Sequence, residues 1–310
     1  MTTLRLGTRK SLMATTQSRR VADELERRTG VTVELVGVTT EGDVSRAHLT
    51  QMGGTGVFVS ALRDRLLAGE VDFAVHSLKD LPTAPAEGIT LAAVHRRDDP
   101  RDALCGPAKL ADLPPGARVG TGSPRRVAQL RALRGDLKVV PIRGNADTRL
   151  RKITDGELDA VVLAYAGLGR IGRLDAVAEV LDPEQMLPAP GQGALAIECR
   201  SDRADLVELL RTVDDPATRA AVTAERTVLA VLEAGCSAPV GAYATVEDSA
   251  DAEPSLYLTA CVAGIDGARQ VRLSASGRPE RAEEIGRELA ARLLAQGADQ
   301  LMGERDIEPR

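Results

Sequence analysis

Gly69-Glu70-Val71-Asp72-Phe73-Ala74-Val75 returns 87 residues later as Gly156-Glu157-Leu158-Asp159-Ala160-Val161-Val162. Both copies follow a helix-like stretch, and both run from a helix-ending glycine into an apolar segment of strand length. Upstream, Leu4-Arg5-Leu6-Gly7-Thr8 is answered by Ala117-Arg118-Val119-Gly120-Thr121, a short strand ending in Gly-Thr before a helical segment. Between these marks, a strand over 31–38 leads to Thr40-Glu41-Gly42-Asp43, and one over 137–142 leads to Arg143-Gly144-Asn145. Gly7 and Gly120 lie 113 residues apart, so the second copy has the shorter loops.

Each copy therefore reads strand, helix, strand, helix, strand, with helices over 11–29 and 57–68 in one and over 124–133 and 146–154 in the other. That order predicts an α/β fold of two lobes, each with a largely parallel sheet between helices. Ligands of such sheets bind beyond the carboxyl ends of the strands, where the Gly-Thr turns and the Arg143 loop fall, and helix starts there add unpaired N–H groups. Arg97-Asp98-Asp99-Pro100 and Leu187-Pro188-Ala189-Pro190-Gly191-Gln192-Gly193 read as paired hinge strands, the second returning the chain to lobe one through a strand over 194–198. Two such lobes can close on a ligand. Beyond about residue 213 come a helix over 219–234, a Gly-Cys loop, a strand over 240–246, a hairpin of 256–263 with 270–276, and a last helix over 281–297. The expected division is 1–96 with 194–212, 97–193, and a small α+β domain over 213–310.

Of 310 residues 40 are basic and 45 acidic, yet between Arg118 and Lys152 eight Arg and two Lys face two acids, Asp136 and Asp147. Charge so focused collects anions, and guanidinium forks onto carboxylates or phosphates where ammonium offers a point charge. Five aromatic residues (Phe58, Phe73, Tyr165, Tyr243, Tyr257) cannot furnish stacking platforms for single-stranded nucleic acid. Residues 1–10 lack the apolar core of an export signal, and no run has the length of a membrane span, so a cytoplasmic protein without membrane partners is expected. Four scattered cysteines, with no CxxC pair, suggest neither a metal site nor a disulfide framework.

Several motifs lie where a ligand would be met. His76-Ser77-Leu78-Lys79-Asp80-Leu81-Pro82 leaves the last strand of lobe one and is stopped by proline. It reads either as a solvated turn with a Lys-Asp surface pair or as a carboxylate presented for proton transfer and for balancing positive charge. Gly120-Thr121-Gly122-Ser123-Pro124-Arg125-Arg126 reads as a capped helix start holding an anion, or as a plain N-cap with solvated arginines. Arg143, Asn145 and Arg149 are spaced to face one ligand. Arg170 holds the place in lobe two that Lys79 and Asp80 hold in lobe one. Cys236, in Ala234-Gly235-Cys236-Ser237, is either an inert core thiol or, after its glycine, an exposed one whose thiolate nearby arginines favour. His48 and His95 read as surface or packing residues, while His76 draws interest from its neighbours.

Taken in order, Leu6 to Ser11, Thr40 to Asp43, His76 to Pro82, Asp98 to Asp102, Gly120 to Arg126, Arg143-Gly144-Asn145 with Arg149, Leu187 to Ala194, and Glu225-Arg226 with Gly235-Cys236 closely resemble the porphobilinogen deaminase (hydroxymethylbilane synthase) family. The resemblance covers nearly the whole chain. It implies two periplasmic-binding-protein-like (type II) lobes with mixed, largely parallel sheets plus a small C-terminal domain. It implies a transferase of porphyrin and haem biosynthesis that joins four porphobilinogen molecules head to tail, releases ammonia and hydrolyses the product to hydroxymethylbilane. A dipyrromethane cofactor is then expected as a thioether on Cys236, held by Ser77, Lys79, Thr121, Ser123, Arg125, Arg126, Arg143 and Asn145. Arg9, Gln17, Arg149 and Arg170 are expected to hold substrate, Asp80 to be the catalytic acid, no metal to be needed, and the protein to be a monomer. The demands fit, because each pyrrole brings an acetate and a propionate for guanidinium to bind.

Two departures from the family pattern stand out. Thr55 replaces a Lys common in relatives, and Pro124 replaces a Leu, a change that suits the first position of a helix. The rival readings are a non-catalytic two-lobe anion or solute-binding protein, which has no use for Asp80 or Cys236, and a nucleic-acid-binding module, weakened by the net charge of −5.

Overall fold

The computed structural model describes residues 3–38, 56–234, 238–249 and 252–302. They form two compact units, Met1–Asp98 with Gly193–Arg219, and Asp99–Gln192 with Ala220–Arg310. In chain order the first unit builds β1 (Thr3–Arg9), α1 (Leu12–Thr29), β2 (Thr32–Val38), α2 (Gly56–Leu67), β3 (Phe73–Ser77) and β4 (Ile89–His95). The second builds β5 (Asp102–Cys105), β6 (Arg118–Thr121), α3 (Pro124–Leu133), β7 (Lys138–Pro141), α4 (Ala146–Thr154), β8 (Ala160–Ala164), α5 (Tyr165–Arg170) and β9 (Val177–Val180). The chain then returns to the first unit with β10 (Leu195–Arg200) and α6 (Ala204–Arg211). Helix α7 (Pro216–Val231) leads into β11 (Val240–Ser249), β12 (Ala252–Ala263), β13 (Gln270–Gly277), α8 (Ala282–Ala295) and α9 (Ala298–Leu301).

The first sheet has the order β2-β1-β3-β10-β4 and the second β7-β6-β8-β5-β9, the same plan twice. In each, the strands of the repeated unit pair in parallel, while the strand delivered after a crossing, β10 or β5, runs antiparallel between two neighbours. The sheets are thus mixed and largely parallel, as expected: four of the five strands in each run the same way, and each crossing inserts one reversed strand next to the edge. Strands β4, β5 and β9 have no counterpart in the sequence expectation. Two of them are four residues long, too short for a periodic signal. Apolar layers cover both faces of each sheet, among them Leu6, Leu25 and Phe73 against Leu66 and Val71 in the first, and Leu104, Val119 and Leu130 against Leu158, Val161 and Leu168 in the second. The antiparallel sheet β11-β12-β13 has a core of its own with α7 and α8, built on Leu256, Leu258, Leu289 and Leu293.

The opening repeat has a physical reason. Asp72 accepts from the Arg5 backbone N–H (2.7 Å) and Nε (3.1 Å), Arg5 Nη2 donates to the Gly69 carbonyl (2.8 Å), and the Asp72 N–H donates back to the Arg5 carbonyl (2.8 Å). In the second copy Asp159 accepts from the Arg118 N–H (2.6 Å) and Nε (3.3 Å), Arg118 Nη2 donates to Gly156 (3.0 Å), and the Asp159 N–H donates to the Arg118 carbonyl (2.9 Å). The glycine in front turns the chain off its helix at φ +69° or +71°. This latch sets the register of the third strand of each unit against the first.

The copies differ in how tightly their Gly-Thr turns are packed. A Cβ on Gly7 would meet Val71 at 3.1 Å, whereas one on Gly120 would sit 2.5 Å from Leu158 and 2.9 Å from Ile142. Gly120→Ala should therefore destabilise the protein by about 2 kcal/mol, and Gly7→Ala by clearly less, when both are compared by urea unfolding. Equal losses would show that the second sheet yields as readily as the first.

Candidate functional site

In the first unit the polar groups gather at the ends of β1 and β3. Ser11 caps α1, accepting from the Ala14 N–H at 3.3 Å. One face of that helix turns inward: the Ser18 hydroxyl donates to Thr8 Oγ1 (2.8 Å) and Gln17 Nε2 to Ser77 Oγ (3.1 Å). Past Ser77 a 3-10 turn over Leu78–Asp80 is pinned from below. Leu78 is fully buried, its N–H donates to the Ala194 carbonyl (3.0 Å), and the Leu81 N–H closes the turn on Leu78 (3.1 Å). Asp80 is left half-buried, and among the described residues its carboxylate makes no hydrogen bond or ion pair. The simple Lys-Asp surface pair is thus not what the turn forms.

Beneath that turn lies a buried charge cluster the sequence reading did not anticipate. Glu198, on β10, takes both prongs of Arg63 (3.0 and 2.7 Å), and His76 Nε2 lies 3.3 Å away. Burial alone would raise the Glu198 pKa, but His76 and Arg63 together pull it down to about 2. His95 is also buried and meets Glu24 at 2.7 Å, consistent with a packing role. His48, Thr40 to Asp43 and Thr55 lie outside the described residues.

In the second unit Pro124 opens α3 as expected. The helix start differs in one respect: Ser123 does not cap with its side chain, and the loop is instead closed by the Ser123 N–H donating to Thr121 Oγ1 (3.2 Å). Arg125 and Arg126 are buried, not solvated. Arg125 Nη1 donates to Asp102 Oδ2 (2.7 Å) and to the Leu187 carbonyl (2.6 Å). Arg126 reaches Asp102 Oδ1 through Nε (3.1 Å) and Nη2 (2.7 Å), and the Val162 carbonyl through Nη1 (2.9 Å). Gln192 Nε2 adds a bond to Asp102 Oδ1 (2.8 Å), and Gln129 grips the Leu187 backbone through both its N–H and carbonyl (2.8 and 3.1 Å). Asp102, Gln129 and Gln192 were missed as site residues, although two of them stand inside quoted motifs. Their pairing in space has no signature in spacing.

Asn145 caps α4, accepting from the Thr148 N–H (2.8 Å), and Arg149 folds back so that Nε donates to the Gly144 carbonyl (2.8 Å). Burial, and next the charge of Arg126, push the Arg149 guanidinium below its ordinary value. Arg143 is exposed, and among the described residues its side chain holds no partner. The Arg125 Nε is buried without a hydrogen bond. A site with several guanidiniums and one internal carboxylate suits a ligand bearing carboxylates. Arg170 is displaced from its expected place. Counted from the repeat, Lys79 and Asp80 correspond to Ala166 and Gly167, and Arg170 comes a helical turn later because β8 continues into α5 where lobe one turns and stops.

Cys236 lies outside the described residues. The other three cysteines, Cys105, Cys199 and Cys261, are buried, and burial pushes each thiol up to about 11. Among the described residues no group of His, Cys, Asp or Glu could hold a metal ion, and no helix is long and apolar enough to cross a membrane.

Each of the two α/β units carries one reversed strand, supplied by a crossing, next to the edge of its sheet. A periplasmic substrate-binding protein of an ABC transporter from Coxiella burnetii superposes with a TM-score of 0.42 at 14% identity, over 70% of this chain and 94% of that one. Residues 4–208 match the porphobilinogen deaminase dipyrromethane cofactor binding domain, and residues 219–295 match the porphobilinogen deaminase C-terminal domain. A porphobilinogen deaminase of Thermobifida fusca is 64% identical over 98% of this chain and 97% of its own length. Porphobilinogen deaminase 1 of Streptomyces coelicolor is 57% identical over 97% and 98%. The chain belongs to the porphobilinogen deaminase family, whose members are transferases.

The Glu198 cluster makes acid sensitivity testable. Its folded pKa lies below the ordinary carboxyl value, so its stabilisation is fully present above about pH 4.5 and is lost as pH falls through about 2. Glu198→Gln should cost on the order of 3 kcal/mol at neutral pH, and urea unfolding should show the gap from wild type closing between those limits. A gap that stays constant on acidification would remove the ionised cluster as its cause.

Proposed function

We propose that this chain condenses four porphobilinogen molecules head to tail, releasing ammonia, and frees hydroxymethylbilane by hydrolysis. The observation that carries the reading is the group of guanidiniums at the strand ends of the second unit, which outnumber their one buried carboxylate, Asp102. Thr121, Ser123, Arg125, Arg126, Arg143 and Asn145, with Ser77 and Lys79 of the first unit, would hold the carboxylates of the family's dipyrromethane. Arg9, Gln17, Arg149 and Arg170 would hold those of the incoming substrate. When bound, the cofactor supplies the pyrrole carbon to which the first substrate joins. Cys236 is its attachment point, while burial raises the pKa of the other three thiols and disfavours their thiolates.

Asp80 does the proton work. In its acid form the Asp80 carboxyl, without a partner among the described residues, is available to give its proton to the departing amine. It then sits as an anion beside the positive charge that ammonia leaves behind, and next takes the proton lost when the new bond forms. The pinned backbone of the 78–80 turn keeps that carboxylate in place without occupying it. We further propose three domains, 1–96 with 194–212, 97–193, and 213–310. The protein would act as a cytoplasmic monomer with a small-molecule substrate and without nucleic acid, membrane or metal.

Intact mass tests the attachment: the purified protein should exceed its sequence mass by one covalent dipyrrole, and Cys236→Ser should abolish the increment. Active protein with no added mass ends the cofactor reading. Asp80→Glu should keep the added mass yet lose turnover by about 100-fold, as measured by ammonia release. Unchanged turnover would take Asp80 out of the reaction.

A further inference from the structure

Asp102 opens β5, opposite Ala164 at the end of the β5-β8 pair, and is wholly buried. Its two oxygens accept from Arg125 Nη1, from Arg126 Nε and Nη2, and from Gln192 Nε2, all at 2.7–3.1 Å. One negative charge therefore faces two buried guanidiniums, and the cluster keeps an excess positive charge to which Arg149 adds. Each guanidinium has five N–H donors. Three of those on Arg126 are engaged by Asp102 and the Val162 carbonyl, and the Arg125 Nε is buried without a partner.

We propose that Asp102 is a positioning residue that stands in for a ligand carboxylate: before the cofactor is attached it holds Arg125 and Arg126 side by side and leaves their remaining N–H groups for the incoming acids. The proposal rests on the reading that dipyrromethane is this chain's ligand. The physical reason is like-charge repulsion. Two buried guanidiniums without an anion push apart or turn toward water, whereas with one shared carboxylate they stay parallel and still carry net attraction for a further anion. Gln192 Nε2 adds a third donor to Oδ1, the oxygen Arg126 holds, and donates also to the Pro100 carbonyl (2.6 Å), which helps keep Oδ2 turned to Arg125. Asparagine fills the same space but presents one oxygen and an NH2 that meets another donor, so it keeps the shape and loses the function.

That makes the value of Asp102 depend on whether the cofactor is present, which a merely structural carboxylate would not show. Asp102→Asn is made in the wild-type chain, where intact mass reports cofactor, and in Cys236→Ser, which cannot attach one. Thermal melting should fall by about 10 °C in the Cys236→Ser background and by less than half as much in the loaded chain, where bound carboxylates take over the balance. Asp102→Asn should also slow the gain of mass when cofactor-free chain is incubated with porphobilinogen, and Asp102→Glu should restore part of that rate. Should Asp102→Asn fail to fold, Gln192→Leu removes one hydrogen bond and no charge, and the same dependence on background is expected on a smaller scale. Equal melting losses in both backgrounds, with the added mass present in wild type, overturn the inference alone. Absence of the mass in wild type overturns the cofactor reading and this inference with it.

Discussion

A carboxylate buried on a sheet strand must be given partners, and among the described residues this happens on both inserted strands. Each sheet receives, from a crossing of the chain, an antiparallel strand that slots between a parallel neighbour and an edge, and each such strand carries one buried acid, Asp102 on β5 and Glu198 on β10. Burial of either anion would be strongly unfavourable alone. In the first unit the partners are Arg63, from α2, and His76, from β3. In the second they are Arg125 and Arg126, from the start of α3, with Gln192. The inserted strands are thereby tied to the helices beside them and to the strand ends where chemistry-bearing residues sit.

The two clusters are not equivalent, and the difference tells against a purely structural account of the second. Around Glu198 one guanidinium and one imidazole meet one carboxylate, and the carboxyl is held down to about 2. Around Asp102 two guanidiniums share one carboxylate, a third is pushed below its ordinary value by burial and by Arg126, and an N–H is left without a partner. Each cluster holds one buried nitrogen without a hydrogen bond, His76 Nε2 in the first and Arg125 Nε in the second, so what separates them is the excess of guanidinium over carboxylate around Asp102. The first unit has an open group at Asp80, on a turn whose backbone is fastened while its carboxylate has no partner among the described residues.

The repeat made the architecture legible. Gly69 to Val75 and Gly156 to Val162 announce matching strands because the glycine ends a helix, the aspartate latches onto the first strand of its unit, and the apolar run fills the sheet; all three jobs are local. Helices over 124–133 and 146–154 fall where the periodicity puts them, with Pro124 and Asn145 at their starts. What was not legible is what depends on the crossings. That β5 and β10 enter their sheets reversed follows from which neighbours they find, and four-residue strands such as β5 and β9 carry too little pattern to announce themselves. The same holds for the site. Asp80, Arg143 and Arg149 could be picked out because they stand at strand ends by count. The embrace of Arg125 and Arg126 by Asp102 joins residues some two dozen positions apart on different elements, and Gln192 lies 90 positions from Asp102. Arg170 went astray for the converse reason, since a count along the repeat fails once α5 replaces the turn of lobe one.

Seen this way, the arginine-rich stretch divides into members with different work. Arg118 and Arg134 serve the backbone: one latches β6 to β8 through Asp159, the other spans the Leu110, Ala111 and Leu113 carbonyls. Arg131 donates to the Ile265 carbonyl, tying α3 to the loop between β12 and β13. Arg125 and Arg126 are committed in part, and Arg143 is open to solvent. A local excess of positive charge read from sequence is therefore an upper bound on what a ligand can feel, because folding assigns some of that charge to carbonyls and carboxylates of the chain itself. What survives the assignment sits at the carboxyl ends of β6 and β7 and the helix starts that follow them, the place where an α/β sheet leaves room for an anion.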